Sequence, residues 1–562
     1  MAPMTPGPNG PVPESGLESL RRVSLAAPRL SEAAGSPVAC RRRGLSRLVL
    51  LLLAGVLSAL PAADCARKPP AKLVVIGLDG ASWDLLEPWI QAGDLPNLKA
   101  FRDGAAWGTM MSVVPYLSPT AWTSAVTGVN PGRHGIFDFQ RRLPGQAAIV
   151  TETAKSRRSP PIWNLLRGSG KTVAIINIPM TDPPDEVDGV MVAGFPHLDK
   201  EGYAYPPALE ARCKAMGYIL DEMEMKLPDG EEESILEGYR ATREKRWELV
   251  KQLYGEREYD LFWVVFTGVD RIQHLYWVFD DPKNPKYDPA KAARFGGTMR
   301  KFWMEQDKIL GEFFAAIRPG TTVLILSDHG FGPVRRELRV GNWLRSSASG
   351  FSSEQAADIF SLDPSDAARL YVRTPGRDPG GAEGAGSPAD VRATRDRLST
   401  ALLASRDPET GEKPVQTVYP AEQVFVGKYA EKGPDLTALP SNGYYLALGD
   451  LTAGFKLPNY GPLTSTLSGW HHMEGIFLLR GPQAALPGKA TQVYSLLDVA
   501  PTCLYLLGRP LPEDFDGKIM ETVLESGLLK KVPPVYKGLL NEEDRPLTPE
   551  EQKALKNLPY VG

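Results

Sequence analysis

The chain has little of what thiolate metal sites and disulfide scaffolds are built from. Its 562 residues include only four cysteines, Cys40, Cys65, Cys213 and Cys503, at wide spacings. No CxxC pair occurs, so zinc-ribbon and dithiol redox chemistry are excluded and no disulfide framework follows. Charge of one sign is also missing. Lys and Arg (64) nearly balance Asp and Glu (67), for a net charge of −3, and no nucleic-acid partner is expected of such a surface. The apolar run Leu48 to Leu60 is shorter than the ~20 residues that span a bilayer.

That run nevertheless has a meaning. Arg41-Arg42-Arg43 and Arg47 precede it and Pro61-Ala62-Ala63 follows it, the basic, apolar and small-residue parts of a secretory signal. Residues 41–64 are read as a signal peptide or membrane anchor, and the protein as exported: periplasmic, or membrane-anchored and facing outward. Cys65 directly after the run raises a lipid tether, although Ala62-Ala63-Asp64 matches a lipoprotein cleavage box poorly. Residues 1–40, rich in Pro, Gly, Ser and Ala without periodicity, read as a disordered extension or an over-extended gene start.

The length exceeds a single compact core. From residue 72 onward, strand-like and helix-like segments alternate as in a doubly wound α/β sheet. Strand patterns begin at Lys72, Thr172, Gly189, Leu261, Thr321 and Gly475, and a long amphipathic helix is expected from about Glu231 to Leu253. Between Pro333 and Pro458 the pattern changes, with a Gly/Pro-rich tract from Pro375 to Pro388 and a charged helix around Asp390 to Ala404. This predicts an α/β catalytic domain formed by residues 71–333 and 459–520, interrupted by an inserted cap subdomain at 334–458. The bland alternative is a peripheral structural subdomain. Residues 521–562 form a tail, with Thr548-Pro549-Glu550-Glu551 as a capping box for a short helix.

Three of the apolar strands break into an acid: Leu73 to Leu78 into Asp79, Leu261 to Val269 into Asp270, and Thr322 to Ser327 into Asp328-His329. The carboxyl ends of parallel strands gather on one rim of the sheet, where open α/β folds bind ligands. Histidine is scarce, six in all, and three of them (His274, His329 and His471) stand beside such an acid or in a Gly-rich turn. Asp270 and His274 are one helical turn apart and so share a face. Asp328 and His329 can reach one ion only from a loop. Asp79 alone would read as a turn residue before Gly80, yet together the set points to a two-metal hydrolytic site.

Such a site needs a nucleophile. Tyr116-Leu117-Ser118-Pro119-Thr120-Ala121-Trp122 offers the Ser118 hydroxyl, with Thr120 as the fallback. Ser118-Pro119 also suits a helix start, with Ser as the cap. His134, in Pro131-Gly132-Arg133-His134-Gly135, reads as satisfying loop backbone groups. His197 follows Gly194-Phe195-Pro196 at a strand end with no acid partner in view. Trp122 and Trp277 read as core.

With these stretches assembled, the chain resembles the alkaline phosphatase superfamily, and within it the type I phosphodiesterase and nucleotide pyrophosphatase branch. The resemblance rests on VVIGLDG around Asp79, SPTAWTSAVTGVNPGRHGIFDF from Ser118, VVFTGVDRIQHLYW around Asp270, LILSDHGFG around Asp328, SGWHHMEGIFLLRGP around His471 and LLDVAPTCLYLLGRPLPEDFDG from Leu496. It implies one metal held by Asp270, His274 and His471 and a second held by Asp79, Ser118, Asp328 and His329. Ser118 would attack phosphorus to form a phosphoserine that water then releases. His471 is preferred to His472 by its distance from Gly475.

Two departures stand out. Nucleotide pyrophosphatases usually carry Thr at the nucleophile and an Asn a few positions later, where Ala121 or a neighbour stands here. The sulfatase pattern C/S-x-P-x-R does not fit Ser118 to Trp122. The expected activity is therefore a metal-dependent phosphodiesterase or phosphohydrolase. Its cofactors are two divalent ions, zinc first, with manganese or iron as alternatives. Its substrates are small-molecule or lipid-headgroup phosphoesters, with diesters or nucleotide-like pyrophosphates ahead of monoesters. A phosphomutase or phosphotransferase would use the same residues, and a binding protein that keeps the fold is the non-enzymatic alternative.

Overall fold

Three strands, Lys72–Leu78, Leu261–Phe266 and Thr321–Leu326, lie side by side and parallel, with Leu73 opposite both Leu261 and Thr322. All but Lys72 are buried, because helices cover both faces of the sheet. Alternate residues feed opposite layers: Leu73, Val75, Trp263 and Val265 enter one hydrophobic cluster, and Val74, Ile76, Phe262 and Val264 the other. At ~1.5–3 kcal/mol for each large apolar side chain buried, these layers fix the strand ends, and with them the rim.

The description comes from a computed structural model and covers residues 72–540, apart from 144–147, 222–224, 364–365, 367, 375–376, 379–387 and 450–456. The expected extension, signal segment, Cys65 and Thr548 capping box lie outside the described residues. Cys213 and Cys503 are free and buried. No helix among the described residues is long and apolar enough to cross a membrane.

The sheet is mostly parallel and ten-stranded. Beyond Leu261–Phe266 come Val173–Ile176 and Gly189–Val192, both parallel, and then Ala204–Tyr205, antiparallel. On the other side Glu474–Arg480 runs antiparallel to the Thr321 strand and to Ala106–Met111. The Val173 strand is shorter than its apolar run because Asn177 turns into the left-handed region, φ 59°. The long helix spans Glu232–Glu256.

Two smaller four-stranded sheets, built between Gly330 and His472, form a second assembly. A strand Gly330–Arg339 leaves the rim and pairs with Gly469–His472, Gly443–Ala447 and Tyr460–Gly461. Four further strands, Ile359–Phe360, Arg369–Val372, Leu436–Pro440 and Val415–Pro420, form their own sheet, and Leu398 and Leu402 of helix Pro388–Ala404 pack into its core. Arg369 ties this assembly to the main sheet's loops, bonding Asp138 and Asp366 at 2.7 Å each.

Candidate metal centre

The rim collects its acids by local geometry. Asp79 ends the first strand, and Gly80 turns the chain with φ +68°, a conformation costly for any residue with a Cβ. That turn brings the Gly80 N–H to within 3.3 Å of Asp328 Oδ1. A Cβ on Gly80 would lie 3.2 Å from Asp270 Oδ1. After the Leu261 strand, helix Gly268–Tyr276 carries Asp270 and His274 on one face, His274 Nε2 lying 3.4 Å from Asp270 Oδ1. Asp328 and His329 occupy the short loop before the Gly330 strand, with His329 Nε2 3.3 Å from Asp328 Oδ2 and 3.6 Å from Asp79 Oδ1.

His471 and His472 share strand Gly469–His472, so their side chains leave opposite faces. His471 Nε2 points to the rim, 3.3 Å from Asp270 Oδ1 and 2.9 Å from His274 Nε2. His472 Nδ1 instead accepts from the Glu474 N–H at 3.2 Å. Two buried trios result, Asp270–His274–His471 and Asp79–Asp270–His329, each with its ligand atoms within 4.8 Å of one another. Asp270 belongs to both.

Ser118 is the first residue of helix Ser118–Thr127, not its cap; Leu117 holds the cap position and no side chain caps the end. Its Oγ lies 3.4 Å from His329 Nε2. One turn on, Trp122 shares that face and donates from Nε1 to Asp79 Oδ2 at 2.9 Å. The indole is admitted because Gly77 has no side chain: a Cβ there would stand 2.5 Å from its ring. Thr120, two residues past Ser118, faces nearly the opposite way, fully buried, its hydroxyl without a partner.

The donor set suits divalent cations. Asp79 Oδ1, Asp270 Oδ1 and Asp328 Oδ2 are buried and meet no hydrogen-bond donor, an arrangement that costs free energy unless a cation fills it. His274 Nδ1 donates to Gly469 O at 3.0 Å and His329 Nδ1 to Gly330 O at 3.1 Å, which turns each Nε2 lone pair toward the acids, as metal-binding imidazoles require.

The electrostatics agree. Burial and the Asp328 and Asp270 charges hold the Asp79 carboxyl well above its usual range. Burial, then Asp270, pushes Asp328 up to about 8. Burial alone would raise Asp270, but His274 and His471 outweigh it and hold this carboxyl well below the usual range. Burial, with crowding by neighbouring imidazoles, keeps His329 well below the ordinary histidine value and brings His471 down to about 4. The crowding that lifts Asp79 and Asp328 and lowers His329 and His471 is what a bound cation would relieve.

The other histidines sit apart from this site. His134 accepts from the Ile136 N–H at 3.2 Å and pairs with Ser124 Oγ at 2.9 Å. His197 does have an acid near it, contrary to the sequence reading: Asp182 Oδ2 lies 3.7 Å from Nδ1. A fold of two separate turns brings them together, which no local pattern announces. Sequence reasoning also missed Trp122 as a support for Asp79, although its spacing of four from Ser118 was a usable signal. Arg133 holds Asp514 at 2.5 Å and Asp516 at 3.2 Å, joining the motif that begins at Ser118 to the one that begins at Leu496.

A family model described as type I phosphodiesterase / nucleotide pyrophosphatase matches residues 73–473. Among solved structures, an inactive murine ectonucleotide pyrophosphatase / phosphodiesterase 5 in complex with AMP is 15% identical, with a TM-score of 0.51, 81% of this chain and 100% of that chain being covered. Phosphonoacetate hydrolase from Sinorhizobium meliloti 1021, in complex with phosphonoacetate, is 18% identical, with a TM-score of 0.52 and coverage of 78% and 96%. At such identities these likenesses establish a shared α/β fold. The family match takes in both Asp/His trios and Ser118, and the chain belongs to the type I phosphodiesterase / nucleotide pyrophosphatase family, as a phosphoester hydrolase.

Proposed function

We propose that this protein is an exported two-metal hydrolase in which Ser118 attacks phosphorus, with phosphodiesters or nucleotide-like pyrophosphates as substrates. The observation that carries the reading is Ser118 Oγ, 3.4 Å from His329 Nε2, at the first residue of a helix whose amino end meets the two trios. Asp270, His274 and His471 would hold one ion, and Asp79, Asp328, His329 and Ser118 the other, zinc first, manganese or iron as alternatives. Ions bound there would lower the Ser118 hydroxyl pKa, neutralise phosphoryl oxygens and supply hydroxide for the second step.

The chain's own groups do the rest. The helix start fixes Ser118 and leaves backbone N–H groups free for phosphoryl oxygens. Trp122 holds Asp79 and the Gly80 N–H holds Asp328, so neither carboxylate must reorganise as charge develops. Attack forms the Ser118 Oγ–P bond as the bond to the leaving oxygen breaks; water then displaces Ser118. Residues 334–458 are read as the cap that selects the leaving group, anchored by the Arg369–Asp138 pair. Export rests on the basic, apolar and small-residue order of residues 41–64.

The test uses protein reconstituted with zinc or manganese, a nitrophenyl phosphodiester, a nitrophenyl phosphomonoester and Ser118→Ala. Metal-dependent diester turnover that falls by about 10³-fold or more in the variant is the expected result. Turnover surviving in Ser118→Ala would remove Ser118 from its role, and preference for the monoester would move the assignment to a phosphatase.

A further inference from the structure

Arg271 follows the shared ligand Asp270 and is 6% exposed. Its Nε and Nη2 are buried and meet no hydrogen-bond acceptor. Nη1 touches the Met225 sulfur at 3.1 Å, a weak acceptor, and stands 3.7 Å from Asp270 Oδ2. The guanidinium lies over Phe195, 4.5 Å from the ring centre. Asp221, an acid near this end of the sheet, is already committed: it accepts from Arg246 at 2.9 Å, from Asn177 at 3.1 Å and from Thr267. A buried arginine with donors to spare is an oxyanion receptor waiting for its anion.

Its place along the rim says which anion. The strands run in the order Thr321, Lys72, Leu261, Val173, Gly189. Ser118 stands beside His329, at the Thr321 end. Arg271, rising from the Leu261 end, leans on Phe195, which follows the Gly189 strand. The strand order thus puts Arg271 toward the Gly189 side of the rim and Ser118 toward the Thr321 side, so a group that reached Arg271 would belong to a part of the substrate other than the phosphorus that Ser118 attacks.

We infer that Arg271 forms a second anion subsite, so that the substrate carries a negatively charged oxyanion group in addition to the phosphoryl group that Ser118 attacks. The inference rests on the two-metal hydrolase reading only for the position of the reacting phosphorus. Phe195 supplies a flat apolar wall behind the guanidinium and fixes its plane.

Two chromogenic diesters test it: ethyl p-nitrophenyl phosphate and its carboxymethyl analogue, assayed on the metal-reconstituted full chain, R271Q and R271K. The native protein should favour the carboxymethyl ester in kcat/KM by about tenfold or more, the gain of a charge-assisted contact. R271Q should lose that preference chiefly through KM, and R271K should recover part of it. No preference in the native protein, an undiminished preference in R271Q, or equal falls for both esters would overturn the subsite and leave Arg271 a structural role. If neither ester is turned over, the hydrolase reading fails separately, and calorimetry still decides the subsite. Inorganic pyrophosphate should then bind more tightly than inorganic phosphate, with the gap closed in R271Q; an equal gap in both proteins overturns the subsite.

Discussion

Trp122 Nε1 donates to Asp79 Oδ2 across 2.9 Å, linking the helix that begins at Ser118 to the strand that delivers Asp79. The bond uses one carboxylate oxygen and leaves the other, Oδ1, turned toward His329 and without a donor. A neutral donor to a buried carboxylate stabilises the ionised form and sets its orientation.

Trp122→Phe keeps most of the packing against Gly77 but removes that donor. Stability should fall by about 1–3 kcal/mol, the cost of leaving a buried acceptor unpaired, and metal affinity by about 10–100-fold. Denaturant unfolding and metal titration of the same preparations measure both. An unchanged metal affinity would mean that Asp79 is oriented by the fold alone.

Gly80→Ala separates backbone strain from site geometry when set beside Gly93→Ala. Both glycines adopt positive φ, +68° and +85°. A Cβ at Gly93 meets nothing within 4 Å, whereas at Gly80 it crowds Phe331, Gln273 and Asp270 Oδ1. Each variant should lose about 1–2 kcal/mol through the left-handed conformation, but only Gly80→Ala should also weaken metal binding, by tenfold or so for each ~1.4 kcal/mol of displaced ligand geometry. Equal metal affinity in the two variants would sink the role given to the Gly80 turn.

Much of this centre was legible because buried parallel strands announce themselves as unbroken apolar runs, and the acid that ends each run marks the rim. Asp79, Asp270, Asp328 and their histidines are visible in that way. The choice between His471 and His472 came from resemblance, but the strand period gives it a physical basis. What the sequence could not show depends on side chains meeting across long separations. Gly80 and Asp328 stand 248 residues apart, and Asp182 reaches His197 only because two loops fold together. The unspent donors of Arg271 could not be read either, since an arginine beside an acid looks like any solvated charge until its burial is known. Asp270's membership of both trios is likewise a property of packing.

Metal binding should be linked to protons, and the sign follows from the carboxyl shifts. In the metal-free protein Asp328 titrates at about 8, raised by burial and by Asp270, and Asp79 is raised as well. At neutral pH the Asp328 carboxyl holds a proton that a cation must displace. Asp270, held low, and His471, neutral above about 4, release none there. Affinity at the Asp79–Asp328 side should therefore climb about tenfold for each pH unit from ~6 to ~8 per displaced proton, and flatten once Asp328 is ionised. Calorimetry at pH 7 in buffers of different ionisation enthalpy should register release of about one proton. Affinity that stays flat across this range, with no buffer dependence of the heat, would mean that Asp328 is already ionised before the metal arrives and that the site is less shielded from water than its burial implies.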